Sequence, residues 1–198
     1  MKFLFSLVIF FQICSFANTS FAFDLPPPPA VGSLEYKEDF RMLHAYQDQR
    51  TEDQCKAADL QSIPSFDVFF GPNTGVLSAD EVKQVAEEGA QIIVKVFAVV
   101  DHFKREYQRT RPYLVDQTLH PCVSKPGNGY RSYPSGHTAA GIVLASFLAK
   151  KFPEKKDTIL AQGKKIGINR LIGGVHHPSD VYAARSLAFQ ILQTWSDL

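Results

Sequence analysis

The chain is 198 residues long, 45% hydrophobic and 21% charged, with a formal net charge of +1. That composition predicts an ordinary globular protein with one domain and a real core. Near-neutrality excludes a global field that would attract nucleic acid or an anionic membrane, so any anion binding must come from a local arrangement of side chains.

In chain order, Met1 to Ala22 stands apart. Lys2, the apolar run FLFSLVIFF and an ending SFA have the order of a secretory signal peptide cleaved after Ala22. The expected location is therefore periplasmic or secreted, with a retained membrane anchor as the alternative. No later segment is apolar for long enough to span a bilayer, so no stable membrane insertion is expected after cleavage. Removing residues 1–22 deletes one Lys and no acid. It also removes Cys14, leaving Cys55 and Cys122. Two cysteines in an exported chain form a candidate disulfide, against the alternative of two free buried thiols.

Residues 23–34 include DLPPPPA, whose four prolines fit neither a helix nor a sheet ladder and predict an extended arm. Residues 35–62 are helix-like and charged. Phe66 to Val76 reads as a loop punctuated by Gly71, Pro72 and Gly75. Ser78 opens a capping box with Glu81, and apolar residues recur at three and four from Val82 to Tyr107. That helix is expected to end near Thr110, because Pro112 pushes Arg111 out of the α region. Residues 113–133 read as a loop. Further helices are expected over Ser135–Lys151, Lys156–Leu171 and from Pro178 to the C-terminal region. No alternating strand and no internal repeat is evident. The expected fold class is all-α, with one domain over residues 35–198.

Three short stretches can carry chemistry. Lys104 and Arg111 are seven apart, two helical turns, which would set them on one helix face about 10 Å apart along the axis. They supply a compact charge and a planar fork of donors for a phosphate, though basic residues near a helix C-terminus are also favoured there for the dipole alone. Pro134-Ser135-Gly136-His137 begins a helix whose free N–H groups suit an anion. Gly136 permits close approach, Ser135 adds a hydroxyl, and His137 can hand over a proton. In NRLIGGVHHPSD, Asp180 falls third in a helix begun by Pro178 and can reach back to His176. Its bland reading is a helix cap. Its functional reading is a carboxylate that holds one ring nitrogen of His176 and frees the other as nucleophile.

These residues resemble a known family. The pattern K-x6-R-P, then P-S-G-H, then S-R-x5-H-x3-D marks the type 2 phosphatidic acid phosphatase superfamily, which includes class A non-specific acid phosphatases, membrane lipid phosphatases and vanadium haloperoxidases. Here it reads Lys104…Arg111-Pro112, Pro134-Ser135-Gly136-His137 and Asn169-Arg170…His176…Asp180, across residues 104–180. DLPPPPAVGS and DVYAAR also look like the class A enzymes. The resemblance implies a single-domain helical bundle of the acid phosphatase/vanadium haloperoxidase type. It implies His176 as a nucleophile that becomes phosphohistidine, Asp180 as its orienter and His137 as general acid. Lys104, Arg111, Ser135, Gly136 and Arg170 match the phosphate-binding set. No metal or other cofactor is implied, and the implied partner is a small phosphate monoester.

Two departures stand out: Asn169 replaces the usual Ser, and Arg131 stands where the class A enzymes usually have Gly. Arg131 reaches over the pocket or is solvated. The chain without residues 1–22 is also short for class A, which puts broad specificity in doubt. His177 reads as a helix-start or pocket-wall residue, and Phe69, Phe70 and Tyr133 as pocket lining or core. The primary reading is an exported, metal-independent acid phosphatase. Competing readings are a lipid phosphatase, a vanadium haloperoxidase, a non-catalytic phosphate-binding protein and a metal site at His176, His177 and Asp180. A homo-oligomer is left open.

Overall fold

In the computed structural model, residues 23–124 and 129–195 are described, and the expected signal peptide lies outside them. Eight α-helices follow in order: α1 (Leu34–Gln49), α2 (Glu52–Leu60), α3 (Phe66–Phe70), α4 (Ala79–Tyr107), α5 (Pro112–Val115), α6 (Gly136–Lys151), α7 (Lys156–Ile172) and α8 (Pro178–Thr194). Among the described residues there is no strand, and the fold class is all-α.

Local chemistry starts each long helix. Ser78 Oγ accepts from Glu81 N at 3.3 Å and Glu81 Oε2 accepts from Ser78 N at 2.7 Å, the reciprocal box expected at the start of α4. Helix α4 buries the stripe Val85, Ile92, Val96, Val100 and Phe103. Helix α6 is apolar on most of its circumference and is therefore central, packed by α4, α7 and α8. Helices α6 and α7 meet backbone to backbone. A Cβ at Gly163 would lie 2.6 Å from the Ala145 Cβ and 2.8 Å from the Gly141 carbonyl oxygen, so only glycine fits that crossing.

The proline-rich arm folds back onto its own chain. Leu25 is buried, the Tyr107 hydroxyl donates to its carbonyl at 2.7 Å, and the Tyr133 hydroxyl donates to Pro26 O at 2.6 Å. Cys55 and Cys122 form a disulfide that fastens α2 to the segment before α6. Among the described residues, no helix is long and apolar enough to cross a membrane.

Three local expectations are corrected. Helix α4 stops at Tyr107, because Gln108 adopts a left-handed conformation (φ 43°) and caps it with an N–H to Lys104 O. Phe66 to Val76 contains α3 and a 3-10 turn, and 113–133 contains most of α5. Helices of four and five residues show no periodicity; Phe66, Phe69 and Phe70 form α3 by being buried together.

Candidate active site

The early end of α4 changes how the first pair is presented. Lys104 remains on the helix, whereas Arg111 lies beyond it in extended backbone (φ −66°, ψ 145°), so the two do not share a helix face. The run 109–111 is held instead by main-chain bonds, Ser132 N to Arg109 O at 3.0 Å and Arg111 N to Gly129 O at 2.8 Å. Lys104 Nζ donates to the carbonyls of Arg131 and Ser132. Burial, helped by the Arg111 charge, brings its ammonium down to about 7, with Asp180 opposing.

The turn Gly173-Gly174 returns the chain from α7 to the site. Gly174 takes φ 71°, open to glycine without strain, and Val175 N donates to Arg170 O at 3.1 Å. His176 and Arg170 are thereby brought to the same end of the bundle. Asp180, third in α8, accepts from His177 N at 2.9 Å and lies 3.1 Å from His176 Nδ1, both through Oδ2. On the other side of the ring, Arg111 Nη1 lies 2.8 Å from His176 Nε2 and donates to Val175 O at 2.5 Å. A guanidinium can only donate, so Nε2 carries the lone pair and Nδ1 the proton. Burial first, then Arg111 and Lys104, hold the imidazolium well below its usual range, against the pull of Asp180.

Ser135 is the N-cap of α6, and its Oγ accepts from Thr138 N. Gly136 follows, with the Phe97 ring 2.9 Å from where a Cβ would stand. His137 keeps part of its surface open, but its Nε2 is enclosed without a hydrogen-bond partner. Its ring lies against Phe69 (centroids 5.7 Å apart) and Phe97 (6.2 Å). Burial and then the charges of Arg170 and Arg111 push it toward neutrality, while a hydrogen bond to the Gln61 main chain favours the charged form. Arg170 is buried and donates from Nη2 to Ala58 O, and burial, then the Arg111 charge, brings its guanidinium down to about 10. Three cations and two imidazoles thus act on one small volume.

Other expected residues resolve plainly. Phe69, Phe70 and Tyr133 are buried core, with Phe69 also touching the His137 ring. Arg131 pairs with Asp101, which also pairs with Arg105. His177 is buried; its Nε2 lies 3.1 Å from Thr110 O, and no three His, Cys, Asp or Glu side chains among the described residues are grouped to hold a metal ion. Beside the site, a cleft of about 420 Å³ is lined by Leu60, Gln61, Val68, Gln162, Lys165 and Asn169, among others. Asn169, the departure from the usual Ser, donates from Nδ2 to Gln61 Oε1 at 2.9 Å.

The profile of the PAP2 superfamily matches residues 89–196. The chain belongs to the PAP2 superfamily. It is 33% identical over 180 residues to a non-specific acid phosphatase of Providencia stuartii, covering 83% of this chain and 69% of that protein. It is 30% identical over 186 residues to a non-specific acid phosphatase of Salmonella typhimurium, covering 87% and 73%. An acid phosphatase of Zymomonas mobilis is 38% identical over 89 residues, covering 43% of this chain and 33% of that one.

The superfamily match encloses every site residue expected from the motifs, but the structure adds partners from outside it. Gln61 and Ala58 come from α2 and its C-cap, and Asp39 from α1. Sequence reasoning also passed over Arg109 and Ser132, both bonded to Asp180. Arg109 sits two residues before Arg111, and its spacing does not separate it from a solvated base. Asp39 lies in a helix whose polar sequence gives no sign that the residue is buried.

Proposed function

We propose that this PAP2 protein is an exported, metal-independent acid phosphatase that hydrolyses small phosphate monoesters through a phosphohistidine at His176. The observation that carries the reading is the neutral imidazole of His176, oriented by a buried carboxylate on Nδ1 and turned through Nε2 toward Arg111. A phosphate held by Arg111, Lys104, Arg170 and the N-terminus of α6 would draw the guanidinium off Nε2 and put phosphorus in its place.

The Nε2 lone pair then attacks phosphorus as the ester P–O bond breaks, and His137 donates its proton to the departing oxygen. In the second half, His137 takes a proton from water, the water oxygen attacks phosphorus, and the P–N bond breaks to restore His176 and release inorganic phosphate. The charge that develops on the three equatorial oxygens meets cations and N–H groups already in place, which is where most of the acceleration arises. Burial and the Arg170 and Arg111 charges disfavour the protonated form of His137 in the free site; the arriving phosphate supplies negative charge that restores its affinity for a proton.

The names of the relatives support the reaction class. Export is supported by the order of residues 1–22 and by the disulfide, which belongs to oxidising compartments. The cleft beside His137 is assigned to the leaving group. Hydrolysis of p-nitrophenyl phosphate in EDTA, from acidic to neutral pH, tests the reading in wild type beside His176→Ala. Activity that survives EDTA, is inhibited by vanadate and vanishes in the variant supports it. Absence of activity in a folded wild type overturns it in favour of anion binding alone, and loss in EDTA overturns the metal-free mechanism.

A further inference from the structure

Behind the His176–Asp180 pair lies a second layer of charge. Asp180 is fully buried, and both carboxylate oxygens are occupied. Oδ1 accepts from Arg109 Nη1 at 2.6 Å. Oδ2 accepts from Ser132 Oγ at 2.5 Å, from His177 N and from His176 Nδ1. The other arm of the Arg109 fork, Nη2, donates to Asp39 Oδ2 at 2.8 Å. Asp39 in turn accepts from Ser179 N at 2.8 Å and Ser179 Oγ at 2.5 Å, at the start of α8. Arg109 and Asp39 are 9% and 4% exposed, so this chain of charges is shielded from solvent.

We propose that Arg109, Ser132 and Asp39 are positioning residues that set the charge His176 feels: Arg109 and Ser132 hold the Asp180 carboxylate in line and withdraw part of its charge from the imidazole, and Asp39 limits that withdrawal. The inference rests on the reading of His176 as nucleophile.

An unopposed buried carboxylate beside Nδ1 would favour the imidazolium, whose Nε2 has no lone pair to attack with. Acidic conditions, which His137 needs in order to carry its proton, would make this worse. Each donor that Asp180 accepts from elsewhere weakens its claim on a second proton at His176. Asp39 restores neutrality around the guanidinium and ties the α8 N-terminus to α1, 141 residues away in sequence from Asp180. The other groups facing this layer are Lys104 from α4, Arg111 from the linker, His177 and the Tyr133 phenol. Burial raises Tyr133, keeping it neutral throughout, and lowers His177, with Asp180 and Arg109 acting on His177 in opposite directions.

The signs give a test that simple packing cannot imitate. Removing a positive charge from the layer raises the proton affinity of His176, and removing a negative charge lowers it. Nitrogen-15 histidine NMR of the full chain reads the His176 titration directly, assigned by comparison with His176→Ala. Arg109→Met is expected to raise the His176 pKa by about one unit or more, and Asp39→Asn added to it to reverse part of that rise. Ser132→Ala, a small change that keeps the fold if Arg109→Met does not, is expected to move it upward too. Arg109→Lys, which keeps the charge, leaves it near the wild-type value while kcat for p-nitrophenyl phosphate falls and KM holds. A His176 titration unchanged in Arg109→Met and Ser132→Ala, or moved downward, overturns the proposal. Because the titration is read without turnover, an inactive wild type would sink the phosphatase reading alone, and an unmoved titration in an active enzyme would sink this one alone.

Discussion

Arg111 Nη1 lies 2.8 Å from His176 Nε2, so in the free site a guanidinium rests on the lone pair of the proposed nucleophile. The contact fixes the tautomer and disfavours a second proton on the ring. It also means that a phosphate competes for Arg111 in order to expose the nucleophile. Arg111→Lys removes the planar fork and keeps the charge. The expected outcome is a fall in kcat/KM of about 10²–10³, the range for losing one preorganised donor. Steady-state kinetics with p-nitrophenyl phosphate check it, and a loss below tenfold would mean that Arg111 does not meet the transferring group.

The depressed proton affinity of His137 predicts a split between pH profiles. Burial and the Arg170 and Arg111 charges lower it in the free site, and bound phosphate offsets those charges. kcat/KM reports free groups and kcat reports groups in the complex. The basic limb of kcat is therefore expected at higher pH than the basic limb of kcat/KM. Coincident limbs would show that substrate does not change the protonation of the acid.

The same groups make folding stability depend on pH. His137, His176 and His177 all have folded values below the ordinary 6.5. Below 6.5 the unfolded chain binds more protons than the native one, so stability falls as the medium is acidified through that window. Lys104, at about 7 in the native state against 10.5 unfolded, adds a penalty that grows from high pH down to about 7 and is then fully present. An anion in the site relieves both. Inorganic phosphate is expected to raise Tm more at acidic than at alkaline pH, measured by calorimetry; an equal or reversed increment would contradict the cation cluster as its site.

The disulfide links stability to the phosphate set. Cys55 and Cys122 are 67 residues apart, and closing a loop of that length stabilises by about 4 kcal/mol in the chain-entropy model. Cys55 lies on α2 one turn before Ala58, whose carbonyl accepts from Arg170. The Cys55→Ala, Cys122→Ala variant is expected to lose roughly that much in urea unfolding and to show a raised KM with kcat less affected. An unchanged KM would show that α2 holds Arg170 without the bridge.

Lys165 is a cation on the wall of the cleft proposed for the leaving group, exposed on α7. Lys165→Ala is expected to lower kcat/KM for a bisphosphorylated substrate by several-fold, in the range of one exposed charge contact, and to leave p-nitrophenyl phosphate unchanged. Equal effects on both substrates would take the leaving group out of this cleft.

Much of the site was legible because local rules wrote it. The capping box at Ser78, the glycine turn after α7, and Asp180 at the third position of α8 follow from short-range geometry, and the last places a carboxylate beside His176 whatever the rest of the fold does. Arg109 and Asp39 were not legible, because the burial that turns two ordinary surface residue types into a shielded pair depends on α1 docking beside α8. Helix α4 ends three residues before the expected Thr110 for a related reason. Gln108 takes a left-handed conformation that favours glycine, held by the pairing of 109–111 with 129–132, which no local pattern announces.

The central claim is that phosphorus passes through His176, and trapping the intermediate tests it most directly. Wild type in EDTA would be mixed with p-nitrophenyl phosphate, quenched in alkali, where phosphohistidine survives, and digested for mass spectrometry. The account predicts one phosphoryl group on His176, formed within the first turnover and absent from His176→Ala. A phosphoryl group on another residue, or full turnover by His176→Ala, would contradict it.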